Sequence, residues 1–331
     1  MSKQPVFPSR KAADQDAKNA VLVTGGSGFV GRNLVRKLVS ANETIVSMYH
    51  HKLPEPMANV YPFCSDMSNS QLLATPLRGV ECVVALAWEK NILSTTDQIN
   101  AAQDRQTKNI LNFKNLIAAM EAAGTTRIVF LSAIGASRTS PNLFLREKYH
   151  VEHLILNSSI PQKIIIRSSV VYSDEQNKFL KAITNVMKFP GLYPVPMVEQ
   201  ALAPIHVADL VETIARLARL DLEQPNVILE VVGKETFRVE ELFKIVCDKY
   251  SKGNKFQIRG RMGNTLLPLF ERPNKHQPAE PRLKDFLSVG SFLNTDVVKN
   301  NPVMKHIPER TFSFKDTVTG VKPVLNEEIT L

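Results

Sequence analysis

A glycine-rich loop between a predicted strand and a predicted helix constrains the fold of this chain most. The apolar run from Ala20 to Val23 leads directly into Thr24-Gly25-Gly26-Ser27-Gly28-Phe29-Val30-Gly31, which holds four of the chain's 14 glycines. Gly25, Gly28 and Gly31 have the spacing that a tight turn, a close backbone approach to a pyrophosphate and dense helix–strand packing require. The helix N-terminus that follows would present free N–H groups to the phosphates. The loop therefore predicts a dinucleotide-binding domain.

The rest of the first half alternates between short apolar runs and longer helical patterns. Such alternation is typical of βαβ units and predicts an α/β fold with a Rossmann-type doubly wound parallel sheet. The predicted strands are Ala20–Val23, Thr44–Tyr49, Val80–Leu86, Arg127–Leu131 and Lys163–Val171. The predicted helices are one with Val30, Leu34 and Leu38 on a single face, Lys108–Ala122 ended by Gly124, and Leu143–Leu156.

A smaller C-terminal lobe and an extended proline-containing tail are expected to follow this core. Helices at Phe179–Lys188 and Ala208–Leu220, with the proline-interrupted run between them, would form a lobe that closes over a ligand, and Val227–Val232 would return to the main sheet. Beyond residue 266 the many prolines predict a tail that wraps a surface, contacting either a partner or its own domain. The expected organisation is an N-terminal arm or presequence remnant at 1–19, a dinucleotide-binding core at 20–175, a lobe interleaved with the core at 176–265, and the tail at 266–331.

The end of the second strand favours NADPH over NADH. A domain that binds NAD usually places an acid there for the ribose 2′-hydroxyl, whereas this chain has Tyr49-His50-His51-Lys52 and no acid before Glu55. Arg32, Lys52 and His50 would match a 2′-phosphate, which carries nearly two negative charges. The alternative is that these are solvated surface cations.

Further cofactor contacts are expected at the carboxyl ends of other strands, where ligands bind in open α/β sheets. Asp66 and Met67 follow the short Phe63-Cys64 element and are predicted to hold the adenine. Leu86 and Ala87 end a strand and are predicted to lie under the cofactor.

Several later motifs, with the glycine loop, resemble the short-chain dehydrogenase superfamily and in particular its atypical branch. These are the Ser132-Ala133-Ile134-Gly135 turn, the segment Phe144-Leu-Arg-Glu-Lys148 and Pro204-Ile-His-Val-Ala-Asp209. In that superfamily a Tyr-x-x-x-Lys helix supplies a tyrosine acid/base and a lysine that binds the nicotinamide ribose. The resemblance implies that Lys148 and Ser132 lie at the cofactor. Phe144, however, stands at the tyrosine position and has no hydroxyl, so no catalytic residue is predicted.

Within the atypical branch, residues 20 to 310 most resemble the short-chain-dehydrogenase-like accessory subunit of mitochondrial respiratory complex I, the NADH:ubiquinone oxidoreductase. The order of the motifs, including Glu152 and the strand from Ile164 to Tyr172, carries this resemblance. It implies tight NADPH binding, no established redox chemistry, other subunits of the respiratory complex as partners, and a place on the matrix side of the inner membrane. Departures from that family are Phe144, His50 where an arginine is usual, and Arg167-Ser168 where a proline often follows the strand.

Charge, cysteine spacing and hydropathy argue against a nucleic-acid-binding protein, a disulfide-linked or metal-binding fold and a membrane-spanning protein. The formal charge is +9, but Lys and Arg are spread along the whole chain, which does not favour nucleic acid as a partner. The three cysteines, Cys64, Cys82 and Cys247, are far apart and predict neither a disulfide framework nor a metal site. No run of 18 apolar residues is present, so the chain is expected to be at most peripheral to a membrane.

His206 and His150 are interpreted as structural or solvated, and Asp209 as a charge favourable to a helix N-terminus.

Three functions remain open from the sequence. The first is a non-catalytic, NADPH-bound accessory subunit that contributes to assembly and stability. The second is an active NADPH-dependent reductase or epimerase of the atypical branch, in which Ser132, Lys148 or a substrate group replaces the missing acid. The third is a redox-sensing or assembly scaffold whose affinity for a partner depends on the bound nucleotide.

Overall fold

The computed structural model describes residues 19–89, 107–173, 178–187, 192–195, 201–250, 256–258, 262–263, 265–267, 303 and 307–319. Its centre is a seven-stranded parallel sheet with the strand order β11-β6-β5-β4-β1-β2-β3. The strands of this sheet are β1 (Ala20–Thr24), β2 (Ile45–Tyr49), β3 (Val60–Cys64), β4 (Val80–Ala85), β5 (Arg127–Ala133), β6 (Gln162–Ser168) and β11 (Asn226–Val231). Short pairs outside it are formed by β7 (Val171–Tyr172), β8 (Leu192–Pro194), β9 (Ala201–Leu202), β10 (Ile205–His206), β12 (Phe237–Arg238) and β13 (Phe256–Ile258). The predicted doubly wound α/β fold is confirmed.

The helices of the described residues are α1 (Phe29–Ser40), α2 (Ser70–Leu73), α3 (Lys108–Ala123), α4 (Leu143–Leu156), α5 (Lys178–Val186), α6 (Val207–Arg219), α7 (Val239–Tyr250) and α8 (Phe314–Thr319). In the first half of the chain, α1, α3 and α4 lie where the sequence predicted helices. Gly124 ends α3 in the left-handed conformation, with φ +70°, as its position predicted. The bounds of α4 coincide with the predicted ones because its apolar spacing and the Asn142 cap, which accepts the Phe144 N–H, agree.

Helices cover both faces of the sheet. On one face, Leu34 and Leu38 of α1 pack with Val21 of β1 in a buried apolar cluster. On the other face, Phe113 of α3 and Val151 of α4 pack against the opposite side of the same strands in a second cluster. Every sheet strand thus contributes to a core on at least one side, and the carboxyl ends of the strands are left to form one continuous edge.

One helix lies elsewhere than the sequence predicted. We expected the helix at Ala208–Leu220 to belong to the lobe, but α6 packs on the sheet, where Leu210, Ile214 and Leu217 join the cluster of Val21 and Leu34. The expectation was wrong because the amphipathic pattern fixes only that one face is buried, not what buries it. By contrast, β11 returns to the main sheet beside β6, with Asn226 opposite Lys163, as predicted.

A third apolar cluster forms the smaller lobe. It contains Phe179 and Ile183 of α5, Tyr193 of β8 and Phe243 of α7. Phe314 of α8 also belongs to it and is 2% exposed. We expected the tail to wrap a surface rather than contribute to a core. For α8 this was wrong, because Phe314 and Val318, four residues apart, lie on one face of the helix and are both buried in this cluster. The rest of the tail and the predicted N-terminal arm, up to residue 18, lie outside the described residues.

The first turn of α6 holds the C-terminal segment in place. The buried Asp209 carboxylate accepts hydrogen bonds from the backbone N–H groups of Thr311 (3.1 Å) and Phe312 (3.2 Å). His206 caps α6 by accepting the Ala208 N–H at 3.3 Å, and its ring stacks on Phe312 with 3.9 Å between centroids. These contacts agree with the structural interpretation of His206 and add to Asp209 a role that its helix position alone did not predict.

We predict that Asp209→Asn loosens residues 307–319 and lowers the free energy of unfolding by about 1–3 kcal/mol. The reason is that a neutral amide replaces a buried carboxylate that accepts two charge-assisted hydrogen bonds. Urea unfolding and limited proteolysis, followed by mass spectrometry of the cleavage sites, measure the two effects.

Asp248→Asn is the matched control, since Asp248 is exposed on α7. It should change neither the urea midpoint nor the cleavage pattern. Equal protease resistance of wild type and Asp209→Asn in this segment would contradict the assigned role of Asp209.

Candidate dinucleotide-binding site

The glycine loop between β1 and α1 is closely packed at Gly25 and at Gly31. Gly25 has φ +68°, and a Cβ there would lie 3.0 Å from both the amide nitrogen and the Cα of Ala87. A Cβ on Gly31 would lie 2.1 Å from the Gly25 carbonyl oxygen. These contacts hold the loop flat against the end of β4 and against the start of α1. The cradle that a pyrophosphate needs is therefore present.

The N-terminus of α1 is open toward this cradle. Its cap residue, Gly28, makes no side-chain capping bond, and the first turn carries no acidic residue. The Gly28 N–H donates to the Gly25 carbonyl at 2.9 Å, which closes the turn. The remaining N–H groups of the first turn, together with the positive end of the helix dipole, suit an anion.

Thr24 joins the loop to the neighbouring strand. Its hydroxyl oxygen, fully buried, accepts the backbone N–H groups of Leu86 and Ala87, both at 3.0 Å. Leu86 and Ala87 thus lie beside the glycine loop, where they were predicted. The role of Thr24 was missed from the sequence, although a hydroxyl residue at the end of a buried apolar strand is a usable signal of such a bond.

Gly26 is positioned by the second strand. Its N–H donates to the Met48 carbonyl at 3.0 Å, and a Cβ would lie 2.1 Å from the Ser47 hydroxyl oxygen. Ser47 and Met48 are both buried in β2. The loop is therefore fixed from both sides, by β4 through Thr24 and by β2 through this contact.

The predicted adenine-binding pair lies on a turn that α3 holds in place. Asp66 accepts the N–H (3.0 Å) and hydroxyl (2.6 Å) of Ser68, and these bonds lower the pKa of the Asp66 carboxyl. Met67 adopts φ +61°, and its side chain is buried. The Asn112 amide donates to the Asp66 carbonyl at 3.0 Å, and the Asn115 amide donates to the Met67 carbonyl at 3.1 Å. Both asparagines were missed from the sequence.

A small pocket beside the glycine loop gathers two of the predicted phosphate-binding cations. Its lining includes Gly26, Ser27, Val35, Leu53, Pro54 and Met57, with Arg32, Lys52 and Glu55 as the charged residues. The Arg32 guanidinium lies 5.8 Å from the centre of the Phe29 ring, which supports its side chain. His50 is absent from this lining: its ring packs on His51 at 3.7 Å, and its charge acts on Asp66. The structure thus brings Arg32 and Lys52 together and leaves His50 nearer to Asp66.

Lys148 lies in an aromatic cage. Its Nζ is 3.7 Å from the centre of the Trp88 ring, 4.6 Å from that of Phe130 and 5.5 Å from that of Phe144. The same Nζ donates to the Leu131 carbonyl at 2.7 Å. Burial lowers the pKa of Lys148 to about 7, against the opposing charges of Glu152 and Glu147. The amine that the resemblance assigns to the cofactor is thus enclosed mainly by Trp88 and Phe130, and Phe144, at the tyrosine position, completes the cage.

The Ser132 hydroxyl is hydrogen-bonded to the acidic partner of a buried ion pair. Its hydroxyl donates to Glu152 at 2.5 Å, and the same carboxylate pairs with Arg167 at 2.7 Å. Glu152 and Ser132 are each about 2% exposed. A hydroxyl bound in this way is oriented toward α4, so neither Ser132 nor Phe144 offers a proton at the edge of the sheet. The Tyr149 ring meets the His153 ring edge to face, with 4.3 Å between centroids, and takes no part in the cage.

Residues 25–180 match the model of a family described as NAD(P)H-binding. Among curated proteins, the chain is 23% identical over 235 residues to "NADH dehydrogenase [ubiquinone] 1 alpha subcomplex subunit 9, mitochondrial" of Arabidopsis thaliana, with 68% of this chain and 56% of that protein covered. It is 26% identical to a 3-beta-hydroxysteroid dehydrogenase of Mycolicibacterium neoaurum, with 50% of this chain and 52% of that protein covered. The chain thus spans about half the length of these two relatives. It is also 29% identical to "Protein FMP52, mitochondrial" of Lodderomyces elongisporus, covering 69% of this chain and 99% of that protein.

Solved structures show the same fold at low sequence identity. A nucleoside-diphosphate-sugar epimerase of Staphylococcus aureus superposes with a TM-score of 0.66 at 14% identity, covering 91% of this chain and 99% of that one. MoeE5 in complex with UDP-glucose and NAD superposes with a TM-score of 0.60 at 18% identity, covering 82% of this chain and 97% of that one. Within the part of the chain that the structure describes, no helix has the length and apolarity to span a bilayer.

We predict that Gly31→Ala abolishes measurable nucleotide binding and lowers the melting temperature. The added methyl group would lie 2.1 Å from the Gly25 carbonyl oxygen and 2.9 Å from the Gly26 Cα, so the loop must leave the helix. Isothermal titration with NADPH and thermal unfolding measure the two effects.

Gly124→Ala is its control, because Gly124 also has a positive φ but has nothing within 4 Å of an added Cβ. It should lower the free energy of unfolding by about 1 kcal/mol and leave nucleotide affinity unchanged. Normal binding by Gly31→Ala would contradict the cradle described above.

We predict that burial of Lys148 makes stability depend on pH above neutrality. Its pKa of about 7 in the folded chain lies below the value of about 10.4 expected when unfolded, so the unfolded chain binds more protons between these limits. Stability should therefore rise with pH from about 7 toward 10 by up to ~1.4 kcal/mol per unit at this site. Lys148→Met removes this contribution, and its stability relative to wild type should fall as pH rises.

Urea unfolding at pH 7, 8 and 9 measures this difference. Lys244→Met, at an exposed position on α7, is the control and should stay parallel to wild type. A difference between Lys148→Met and wild type that is independent of pH would rule out the buried amine as the titrating group.

The glycine cradle, the open helix N-terminus and the neighbouring cationic pocket fit a dinucleotide, and they lie in or beside the matched residues. The predicted resemblance to the short-chain dehydrogenases and to the complex I accessory subunit is confirmed by the profile, the fold and the curated relative. Residues 25–180 of this chain thus match an NAD(P)H-binding family, and the chain has the Rossmann-type fold that its solved neighbours share.

Proposed function

We propose that this chain is a non-catalytic, NADPH-binding accessory subunit of mitochondrial respiratory complex I that contributes to the assembly and stability of the complex. One observation carries the proposal: the cradle for the dinucleotide is intact, whereas the groups that would catalyse a reaction on it are absent or enclosed. Phe144 has no hydroxyl, and its ring helps to enclose Lys148. The chain keeps the means to bind the nucleotide without the means to transfer a proton to a substrate.

NADPH is the proposed form of the cofactor because of the charges around the loop. Arg32 and Lys52 line one pocket next to Ser27, at the end of the glycine loop. A 2′-phosphate with nearly two negative charges would bind more favourably there than a hydroxyl. His50 and Asp66 lie together on the adenine side of the same edge, with Met67 next to them.

The absence of turnover is proposed from what each polar group already does. Ser132 donates to Glu152, and Glu152 is neutralised by Arg167. Lys148 donates to a backbone carbonyl and lies against three aromatic rings. Each would have to break a buried contact before it could reach a ligand, and a buried polar group left unpaired costs about 1–3 kcal/mol.

The assignment to complex I and to mitochondria rests on the relatives. The Arabidopsis relative is named as a subunit of NADH dehydrogenase [ubiquinone], and that relative and the Lodderomyces protein are both named as mitochondrial. We propose for this chain the matrix side of the inner membrane and contacts with other subunits of the complex. Its formal charge of +9 favours acidic partner surfaces.

An active NADPH-dependent reductase or epimerase of the atypical branch is the second candidate. It is favoured by the retained Lys148 and by similarity to proteins named as a hydroxysteroid dehydrogenase and as a sugar-nucleotide epimerase. In this case Lys148 would leave the aromatic cage and act with a substrate group as the acid. The two candidates differ in nucleotide exchange, since a structural cofactor stabilises the folded chain and stays bound.

We predict that gently purified protein releases about one NADPH per chain on denaturation. Chromatography and mass spectrometry identify the nucleotide and its amount, and gel electrophoresis under native conditions shows whether the tagged chain migrates with the respiratory complex. Wild type should do both, and Gly31→Ala should do neither, because it lacks the cradle.

The opposite results are equally clear. Rapid exchange of bound NADPH together with steady reduction of a carbonyl substrate would replace the proposal with the enzyme. Stoichiometric NADPH in a chain that never migrates with the complex would remove the complex I assignment and leave the binding site.

A further inference from the structure

The pocket beside the glycine loop contains a carboxylate that would repel a 2′-phosphate. This residue is Glu55, which lies three positions after Lys52 and lines the pocket together with Arg32 and Lys52. A carboxylate near the adenosine ribose usually accepts the 2′-hydroxyl of NADH and repels a phosphate there. Protonation does not relieve this repulsion, because the neighbouring cations hold the pKa of Glu55 below its usual range, Arg36 most of all. Some other group must neutralise the carboxylate.

Arg36 is placed to do so. Its Nη2 donates to both carboxylate oxygens of Glu55 at 2.8 Å, and its Nε donates to Oε2 at 3.2 Å. Arg36 lies one turn after Arg32 on α1, so its side chain leaves the helix on the same side. It is not among the residues that line the pocket. Both side chains of this ion pair are about half exposed, and because exposed ion pairs are weak, the pair contributes little to the stability of the fold.

We propose that Arg36 is a positioning residue that sets the preference for NADPH over NADH, by holding and neutralising Glu55 at the pocket for the ribose 2′-phosphate. This inference rests on the proposed NADPH site, on which Arg36 acts through Glu55. Without Arg36, the free carboxylate would repel a phosphate and accept a ribose hydroxyl. The same pocket would then favour NADH.

The test compares dissociation constants for NADPH and NADH, measured by titration of the cofactor-depleted full chain. Arg36→Met should lower the NADPH-to-NADH preference by about tenfold, because one negative charge is released near a doubly charged group. Glu55→Gln should preserve or raise the preference. The double variant with both changes should return to within about twofold of wild type, since neither charge remains.

The double variant separates this mechanism from simple attraction. If Arg36 attracted the phosphate directly, the double variant would be as weak for NADPH as Arg36→Met, and that result would overturn the proposal. Arg216→Met is the control: Arg216, itself partly exposed, pairs with Glu212 on α6, and neither residue lines the pocket, so its loss should leave both constants unchanged.

The outcomes for wild type separate the two proposals. Wild type that binds neither nucleotide overturns the NADPH-binding function and this inference together. Wild type that prefers NADPH, with the preference unchanged in Arg36→Met, overturns the inference alone. Wild type that prefers NADH shows that Glu55 is not neutralised and overturns it as well.

Discussion

The close approach of α1 to the turn that precedes it is the constraint on which the site depends. The absence of a side chain at Gly31 allows the helix to lie against the Gly25 carbonyl, and the absence of one at Gly25 lets the turn contact Ala87. Thr24 then bonds the end of β4 to the same turn. Three strands and one helix thereby meet within a few ångströms at the carboxyl edge of the sheet. The cradle, the turn of Asp66 and Met67 and the cationic pocket are all arranged around this point.

Lys148 is buried among aromatic side chains. Lys148 and Phe144 lie one helical turn apart on α4, the spacing at which the superfamily places its lysine and tyrosine. Here the phenyl ring joins Trp88 and Phe130 around the amine. Desolvation lowers the pKa of Lys148, while the aromatic faces and the carbonyl bond offset part of the cost of burying a cation. Packing and the bond to the Leu131 carbonyl therefore account for the position of this amine.

The C-terminal segment connects the two cores of the molecule. Asp209 and His206, at the start of a helix that packs on the sheet, hold residues that continue into Phe314 of the smaller lobe. The segment acts as a structural tie, because its backbone N–H groups are bonded to a buried carboxylate.

The sequence by itself determined the sheet, the glycine loop and the loss of the tyrosine, because periodicity, glycine spacing and the identity of a single residue are local properties. It also placed Leu86, Ala87, Asp66 and Met67 at strand ends. Only the tertiary structure decided that α6 packs on the sheet, that Ser132 bonds Glu152, that Lys148 is enclosed and that Glu55 is paired with Arg36. These features depend on which side chains meet across elements distant in the chain, and a pattern along one element fixes its buried face without fixing its neighbour.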